Sequence, residues 1–371
     1  MDKTISEPYR WFFPMGVLFL FWGSLIWLPQ IWSSDAYPVL AHRFLMLNGF
    51  TSCFIAGFLM TAIPRFSQTR HAHIMEILAF TFVTLLGLIL AYKDQESLVA
   101  FLSATQAMIL IFFIGSRITQ RKQNPPYTFI FIFAGMILWM VSGLHMAFTG
   151  SDSLKSLHYE GAIAAIILGV GSRLIPGILG HTEIVQSQRE IYEKPVSLFK
   201  TIPKSFLIIM AGFVFSYFFT EHSGYLRAIV VSWIAFRYWQ IYKAPKEKTS
   251  LTWCIWFSAW MIAISFIARA FVTEGEIHVS HSFFLGGIVL LSLLIGTRVI
   301  QSHGPKDKKL ENKKVLYWVS GLILIAMLTR VTAYYMPESY LRHLGYSSIV
   351  LVSAVGLWSF NYLGYIMKRA P

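Results

Sequence analysis

The sequence has little charge for its length. Of its 371 residues, only 13% are Asp, Glu, Lys or Arg, about half the share of an average soluble domain, whereas 56% are apolar and 16% aromatic. A water-soluble globule of this size cannot hide so much apolar surface. The composition therefore excludes a soluble domain and an intrinsically disordered chain, and it indicates a protein embedded in lipid.

Several chemical signatures are also missing. Cys53 and Cys254 are the only cysteines, and both lie in apolar stretches, which excludes a disulfide scaffold. The sequence has no phosphate-binding Gly-rich loop, zinc-hydrolase helix or nucleophile elbow. No Asp or Glu lies in the middle of a long apolar stretch, although proton-coupled transporters and pumps usually carry a carboxylate there. The usual signatures of soluble enzymes and of proton pumps are thus absent.

Twelve apolar segments are long enough to cross a bilayer. A span needs about 20 mostly apolar residues, and a helix satisfies its own backbone hydrogen bonds in hydrocarbon. The predicted spans are 10–30, 40–64, 73–92, 97–117, 127–149, 156–179, 203–220, 223–243, 251–272, 278–301, 314–335 and 341–366. No loop is long enough for a soluble domain, so we expect a single all-α integral membrane domain, 1–371.

The distribution of Lys and Arg predicts the orientation. If both termini are cytoplasmic, the outer side holds only Arg43, Lys93, Lys155, Arg227, Arg269, Arg330 and Arg342 of the 31 basic residues. The positive-inside rule therefore favours cytoplasmic termini. The net charge of +13 follows from this bias and from anionic lipid, so we expect no nucleic-acid partner.

Short motifs recur among the predicted spans. Ile63-Pro64 near the end of the second span matches Ile175-Pro176 in the sixth, and Gly171-Ser172-Arg173 in the sixth matches Gly296-Thr297-Arg298 in the tenth. Because the related spans are four helices apart, the pattern predicts three tandem four-helix units, at approximately 1–122, 123–248 and 249–371.

Most of the 11 histidines lie toward the outer face in this topology, namely His42, His145, His158, His222, His278, His281 and His343. Three of them, His42, His158 and His281, begin the repeat-related spans, and His278 is one turn before His281. Neutral imidazole is a good ligand for haem iron or copper. The alternative is an interfacial histidine hydrogen-bonded to a headgroup, a carbonyl or water.

Two arginines lie beside the tenth span in this topology. Arg269 and Arg330 stand at the outer ends of the ninth and eleventh spans, where guanidinium groups could neutralise the propionates of a haem. Ordinary snorkelling toward lipid headgroups is the alternative interpretation.

Several segments together resemble the NnrS family of bacterial membrane proteins. They are Pro8-Tyr9-Arg10-Trp11-Phe12-Phe13, His42 with Gly49-Phe50 and 55–64, Gly161-Ala162-Ile163 with Gly180-His181-Thr182, and His281 with Gly286-Gly287, Gly296-Thr297-Arg298 and His303. The resemblance implies an inner-membrane protein of twelve spans, associated with haem and copper and tied to nitric oxide and nitrosative stress. The helix plan is also similar to the catalytic subunit of haem-copper oxidases, in which histidines on spans two and ten hold a low-spin haem.

From these observations we expect haem, of b type, between spans two and ten with His42 and His281 as axial ligands. His158 and His278 are further candidate ligands for the same haem or for copper. The expected role is nitric oxide binding, sensing or detoxification at an outer-side metal. A metal-free transporter or binding protein with a cavity between the repeats is the competing hypothesis, and a purely structural partner of another membrane complex is a third.

Overall fold

The computed structural model of the protein describes residues 7–32, 38–192, 197–219, 223–272, 274–304 and 307–368. Within these ranges every regular element is a helix, and no β-strand occurs. Helices suit a lipid environment, because the backbone N–H and C=O groups of a helix find their hydrogen-bond partners within the same segment.

The helices are numbered here in chain order. They are α1 Tyr9–Leu25, α2 Val39–Ser67, α3 Ile74–Ala91, α4 Glu96–Thr119, α5 Tyr127–Thr149, α6 Asp152–Ile178, α7 Thr182–Tyr192, α8 Lys204–Phe215, α9 Ser223–Ile234, α10 Ser250–Ala270, α11 Glu276–His303, α12 Val315–Tyr335 and α13 Pro337–Ile366. In the part of the chain that the structure describes, nine of these helices are long and apolar enough to span a membrane. The prediction of an all-helical, multi-pass membrane protein is confirmed.

The other three predicted spans coincide with shorter helices. Helix α1 has 17 residues, whereas α8 and α9 have 12 residues each. Helix α9 continues directly into a π-helical turn, Ala235–Trp239. The amphipathic helix α7 lies between the sixth and seventh predicted spans.

Large apolar side chains cover the outside of the helices. Phe112 is 70% exposed, Trp318 71% and Phe360 91%, although all three lie within spanning helices. In water such side chains would be costly to expose, but lipid tails are as apolar as they are. The exposed surface therefore fits a protein that has lipid as its solvent.

The three repeat-related helices share a local distortion. Each contains a π-helical segment, in which backbone hydrogen bonds join residues five positions apart. His158 lies inside its segment, whereas His42 and His281 lie just before theirs. The segments are Phe44–Thr51 in α2, Leu157–Gly161 in α6 and Ser282–Val289 in α11. In α2, α6 and α11 a histidine and a π-helical segment thus lie together near the start of the helix.

A second shared feature lies deeper in α6 and α11. The indole Nε1 of Trp239 donates to Ser172 Oγ at 3.3 Å, and that of Trp358 donates to Thr297 Oγ1 at 2.9 Å. Gly171 precedes Ser172, and a Cβ atom on Gly171 would lie only 2.9 Å from the Trp239 ring. The Gly-Ser/Thr-Arg motif therefore makes room for a tryptophan and supplies its hydrogen-bond acceptor.

Hydroxyl groups accompany two of the π-helical segments. Ser258 Oγ on α10 donates to the carbonyl of Gly286 at 2.9 Å, and Ser52 Oγ donates to the carbonyl of Asn48. Because π-helical geometry interrupts the regular ladder of an α-helix, such hydroxyls supply the partners that lipid cannot.

The packing divides the described residues into two compact units. The first contains the residues up to Phe12 together with Ile55–Gln240, and the second contains Phe13–Phe54 and the residues from Ile241 onward. The division into three tandem units of four helices stays a prediction.

We predict that Gly171→Ala destabilises the protein. The new methyl group would meet the Trp239 ring, which is fully buried and cannot move aside, so overpacking should cost about 1–3 kcal/mol and lower the melting temperature in detergent. Gly321→Ala is the matched control, because a Cβ at this helical glycine would meet nothing within 4 Å. Equal melting temperatures for the two variants would contradict the proposed role of the glycine.

Candidate functional site

His42 lies near the start of α2, two residues before its π-helical segment. Its ring is half-buried and stands edge-on to Trp27, with 5.0 Å between the ring centroids. Nδ1 of His42 lies 2.8 Å from the carbonyl oxygen of Gly23 and 2.8 Å from Nε1 of Trp27. Gly23 belongs to the last turn of α1, where carbonyl groups run out of helical partners. The end of α1 thus positions this imidazole.

His281 lies in α11, immediately before the π-helical segment of that helix. Its ring is half-buried, and Nδ1 lies 2.6 Å from the carbonyl oxygen of Ile277, one turn earlier in the same helix. Because a carbonyl can only accept, this contact places the ring proton on Nδ1. The local helix therefore fixes both the orientation and the tautomer of His281.

The two imidazoles share one contact, a backbone carbonyl oxygen within hydrogen-bond distance of Nδ1, although Nδ1 of His42 is also reached by the indole N–H of Trp27. When Nδ1–H donates to a backbone carbonyl, Nε2 carries the lone pair that a metal ion binds, and this second contact is typical of metal-ligating histidines. Among the described residues, no hydrogen bond reaches Nε2 of His42 or of His281. The two rings also lie within electrostatic range of each other in the second unit. Nε2 is therefore the nitrogen through which each ring could ligate a metal ion when its proton is on Nδ1.

His278 is bound by an arginine instead. Nη1 of Arg330 donates to Nδ1 of His278 at 2.8 Å, and the His278 ring packs against Tyr334 and Tyr340, with ring centroids 4.9 and 5.7 Å away. A guanidinium can only donate, so the neutral His278 ring must carry its proton on Nε2. In this arrangement His278 presents a hydrogen-bond donor, whereas a metal ligand needs a lone pair.

Arg330 and Arg269 have different surroundings. Arg330 is close enough to His42, His278 and His281 to interact electrostatically with all three rings. Arg269 is almost fully buried and forms an ion pair with Glu276 at the start of α11. The C-terminal ends of α10 and α12 therefore place Arg330 beside the histidines and pair Arg269 with a carboxylate.

His158 belongs to the first unit and is fully enclosed. Its Nδ1 lies 2.9 Å from Ser142 Oγ and its Nε2 lies 2.9 Å from Ser103 Oγ. Ser142 also donates to a backbone carbonyl, and Ser103 also accepts from Trp139 Nε1, so every proton in this network has an acceptor. The predicted role of His158 as a metal ligand is untested, but both of its ring nitrogens already have partners.

Several contacts could not be found by inspecting the sequence. The carbonyl groups of Gly23 and Ile277 carry no sequence signal, because any residue supplies a carbonyl. The contact of Trp27 with His42 has no sequence signal either, since the two residues lie 15 positions apart. Among the other outer histidines, His222 lies outside the described residues. In the ranges that the structure does describe, no group of three or more His, Cys, Asp or Glu residues could hold a metal ion.

The fold and the site together define a class: multi-pass, all-helical membrane proteins with paired histidines near the ends of two π-distorted spans. The model of the NnrS protein family matches residues 3–369, and the chain therefore belongs to the NnrS family. The resemblance seen in the sequence is thereby confirmed over essentially the whole chain. Membership suggests a role in the response to nitric oxide, and the family is associated in general with haem and copper. Among curated proteins, no match was found.

The closed network around His158 leads to a prediction about stability. Replacing this residue by alanine would leave the buried hydroxyls of Ser103 and Ser142 with fewer partners, so we expect His158→Ala to destabilise the protein by about 1–3 kcal/mol. His145→Ala, which removes a histidine bound at the surface to Ser153, serves as the control in thermal unfolding. If the two variants unfold at the same temperature, His158 is not a structural residue.

Proposed function

We propose that this NnrS-family protein binds a b-type haem in its second unit, between Nε2 of His42 and Nε2 of His281. The observation that carries the proposal is that Nδ1 of each imidazole lies within hydrogen-bond distance of a backbone carbonyl oxygen, which leaves Nε2 as the ligating nitrogen when the ring proton is on Nδ1. Bis-histidine ligation needs only two such nitrogens, so it does not require the larger clusters that copper or zinc sites use.

The neighbouring basic residues suit the carboxylates of a haem. Arg330 and the Nε2–H group of His278 are two donors on the same side of the second unit, and a propionate accepts hydrogen bonds from such groups. Arg269 would have to share its guanidinium with Glu276, so we assign it the lesser part in binding propionates. Copper stays a further candidate, with His278 and His158 as the residues that the sequence offered for it.

The proposed role is to bind, sense or detoxify nitric oxide at the outer side of the membrane. When bound, haem supplies an iron centre that accepts electrons and diatomic gases. The chain would hold that centre with two imidazoles, exclude bulk water with apolar helices and admit nitric oxide directly from lipid. Nitric oxide is small and weakly polar, so no polar pathway is needed. Membership of the family supports this role.

The proposal also includes a topology. We propose twelve spans, with α1, α8 and α9 completing the nine long helices, both termini in the cytoplasm and the chain in the bacterial inner membrane. The excess of Lys and Arg in the loops assigned to the inner side supports this orientation.

The orientation can be tested by labelling single cysteines. Ser153 lies at the start of α6, on the side assigned to the outside, and Ser187 lies in α7, on the side assigned to the inside; both positions are exposed. A membrane-impermeant maleimide applied to intact cells should label only Ser153→Cys, because the native Cys53 and Cys254 are buried. Labelling of Ser187→Cys alone would reverse the proposed orientation.

Absorption spectra test the haem site. Wild-type protein purified from haem-replete cells should show a Soret band and sharp reduced α and β bands, and this low-spin spectrum should be lost in both His42→Ala and His281→Ala. His158→Ala is the control, because its ring nitrogens bind serines, and it should keep the spectrum. Colourless wild-type protein without iron or copper would contradict the proposal and favour a metal-free transporter.

A further inference from the structure

The surroundings of the two proposed axial ligands are not equivalent. Nδ1 of His281 contacts one group, the carbonyl of Ile277, which can only accept. Nδ1 of His42 contacts two groups of opposite kind, the carbonyl of Gly23 and the indole N–H of Trp27, each 2.8 Å away. A single nitrogen cannot donate to the first and accept from the second at the same moment.

His42 therefore has two competing neutral states. With the proton on Nδ1, the ring donates to Gly23 and Nε2 presents a lone pair to a metal. With the proton on Nε2, Nδ1 accepts from Trp27 and the ring cannot ligate. The net charge of the imidazole is the same in both states, so the choice between them is not a titration. His281 has only the first state.

From this asymmetry we propose that His42 is the exchangeable axial ligand, that Trp27 makes it so, and that nitric oxide binds on the His42 side. This inference rests on the proposed function. It resolves a difficulty of bis-histidine ligation, in which a gas can bind only if one ligand leaves. The ligand that leaves is His42, because its detached ring can accept a hydrogen bond from the indole N–H of Trp27.

The exchange is balanced without any redox partner. If His42 left the iron of a bound haem, its place would be open to nitric oxide. The detached ring would give its Nδ1 proton to water and take a proton from water on Nε2, so that Nδ1 accepts the hydrogen bond from Trp27 and the number of protons on the ring is unchanged. No electron enters or leaves. His281 would keep its proton on Nδ1, held by the carbonyl of Ile277, and Nε2 would stay available to the iron.

Stopped-flow mixing of the dithionite-reduced holoprotein with nitric oxide tests this assignment. In the wild type, the rate of the Soret shift should level off at high nitric oxide concentration, at the rate at which His42 leaves. Trp27→Phe keeps an aromatic ring but removes the donor, so its limiting rate should fall about tenfold, the effect expected from losing one hydrogen bond. Trp256→Phe is the matched control, because the half-buried Trp256 indole donates to the Ile241 carbonyl and no histidine, and it should leave the rate unchanged.

The outcomes separate the two proposals. Wild-type protein without haem would overturn the proposed function itself. Haem-loaded Trp27→Phe with a wild-type limiting rate, or a wild-type rate that rises linearly with nitric oxide, would overturn the exchange while leaving haem binding intact. Trp27→Leu provides a second variant of different shape. Loss of haem from both Trp27 variants would also contradict the inference, because the indole is assigned to weaken the bond between His42 and the iron.

Discussion

The structure depends on one constraint: in hydrocarbon, each polar group must find its partner within the protein. The π-helical segments leave more backbone groups in need of a partner, because they interrupt the regular hydrogen-bond ladder of the α-helix. Serine hydroxyls meet it at Asn48 and Gly286. Imidazoles meet the same requirement in two ways. His158 is enclosed by serines, whereas Nδ1 of His42 and of His281 lies at a backbone carbonyl, with the Trp27 indole as a second partner at His42.

This difference explains how helices with similar motifs can carry different chemistry. Helices α2, α6 and α11 all have a histidine beside a π-helical segment. In α6 the neighbouring helices supply Ser103 and Ser142, and the histidine becomes part of the packing. Among the described residues of the second unit, no hydroxyl group binds a ring nitrogen of His42 or His281. The available nitrogens of His42 and His281 are therefore the feature that separates a candidate cofactor site from a structural network.

Hydropathy alone predicted most of the fold, because nine of the twelve expected spans are long, apolar helices. The Gly-Ser/Thr-Arg motifs predicted related helices, and their tryptophan contacts explain the motif. The sequence could not predict which nitrogen of each histidine would be occupied, since that depends on helix rotation and on carbonyl groups that have no sequence signal. For the same reason, the sequence did not distinguish His158 from His42, and it did not indicate that Trp27 contacts His42.

The central claim is that imidazole groups at positions 42 and 281 hold a haem. Chemical rescue tests it most directly: His42→Gly and His281→Gly leave space for an added imidazole in place of each side chain. We expect both variants to lack the low-spin absorption spectrum and to regain it when imidazole is added to the haem-replete protein. A low-spin spectrum in either variant without imidazole, or no haem in the wild type, would contradict the claim.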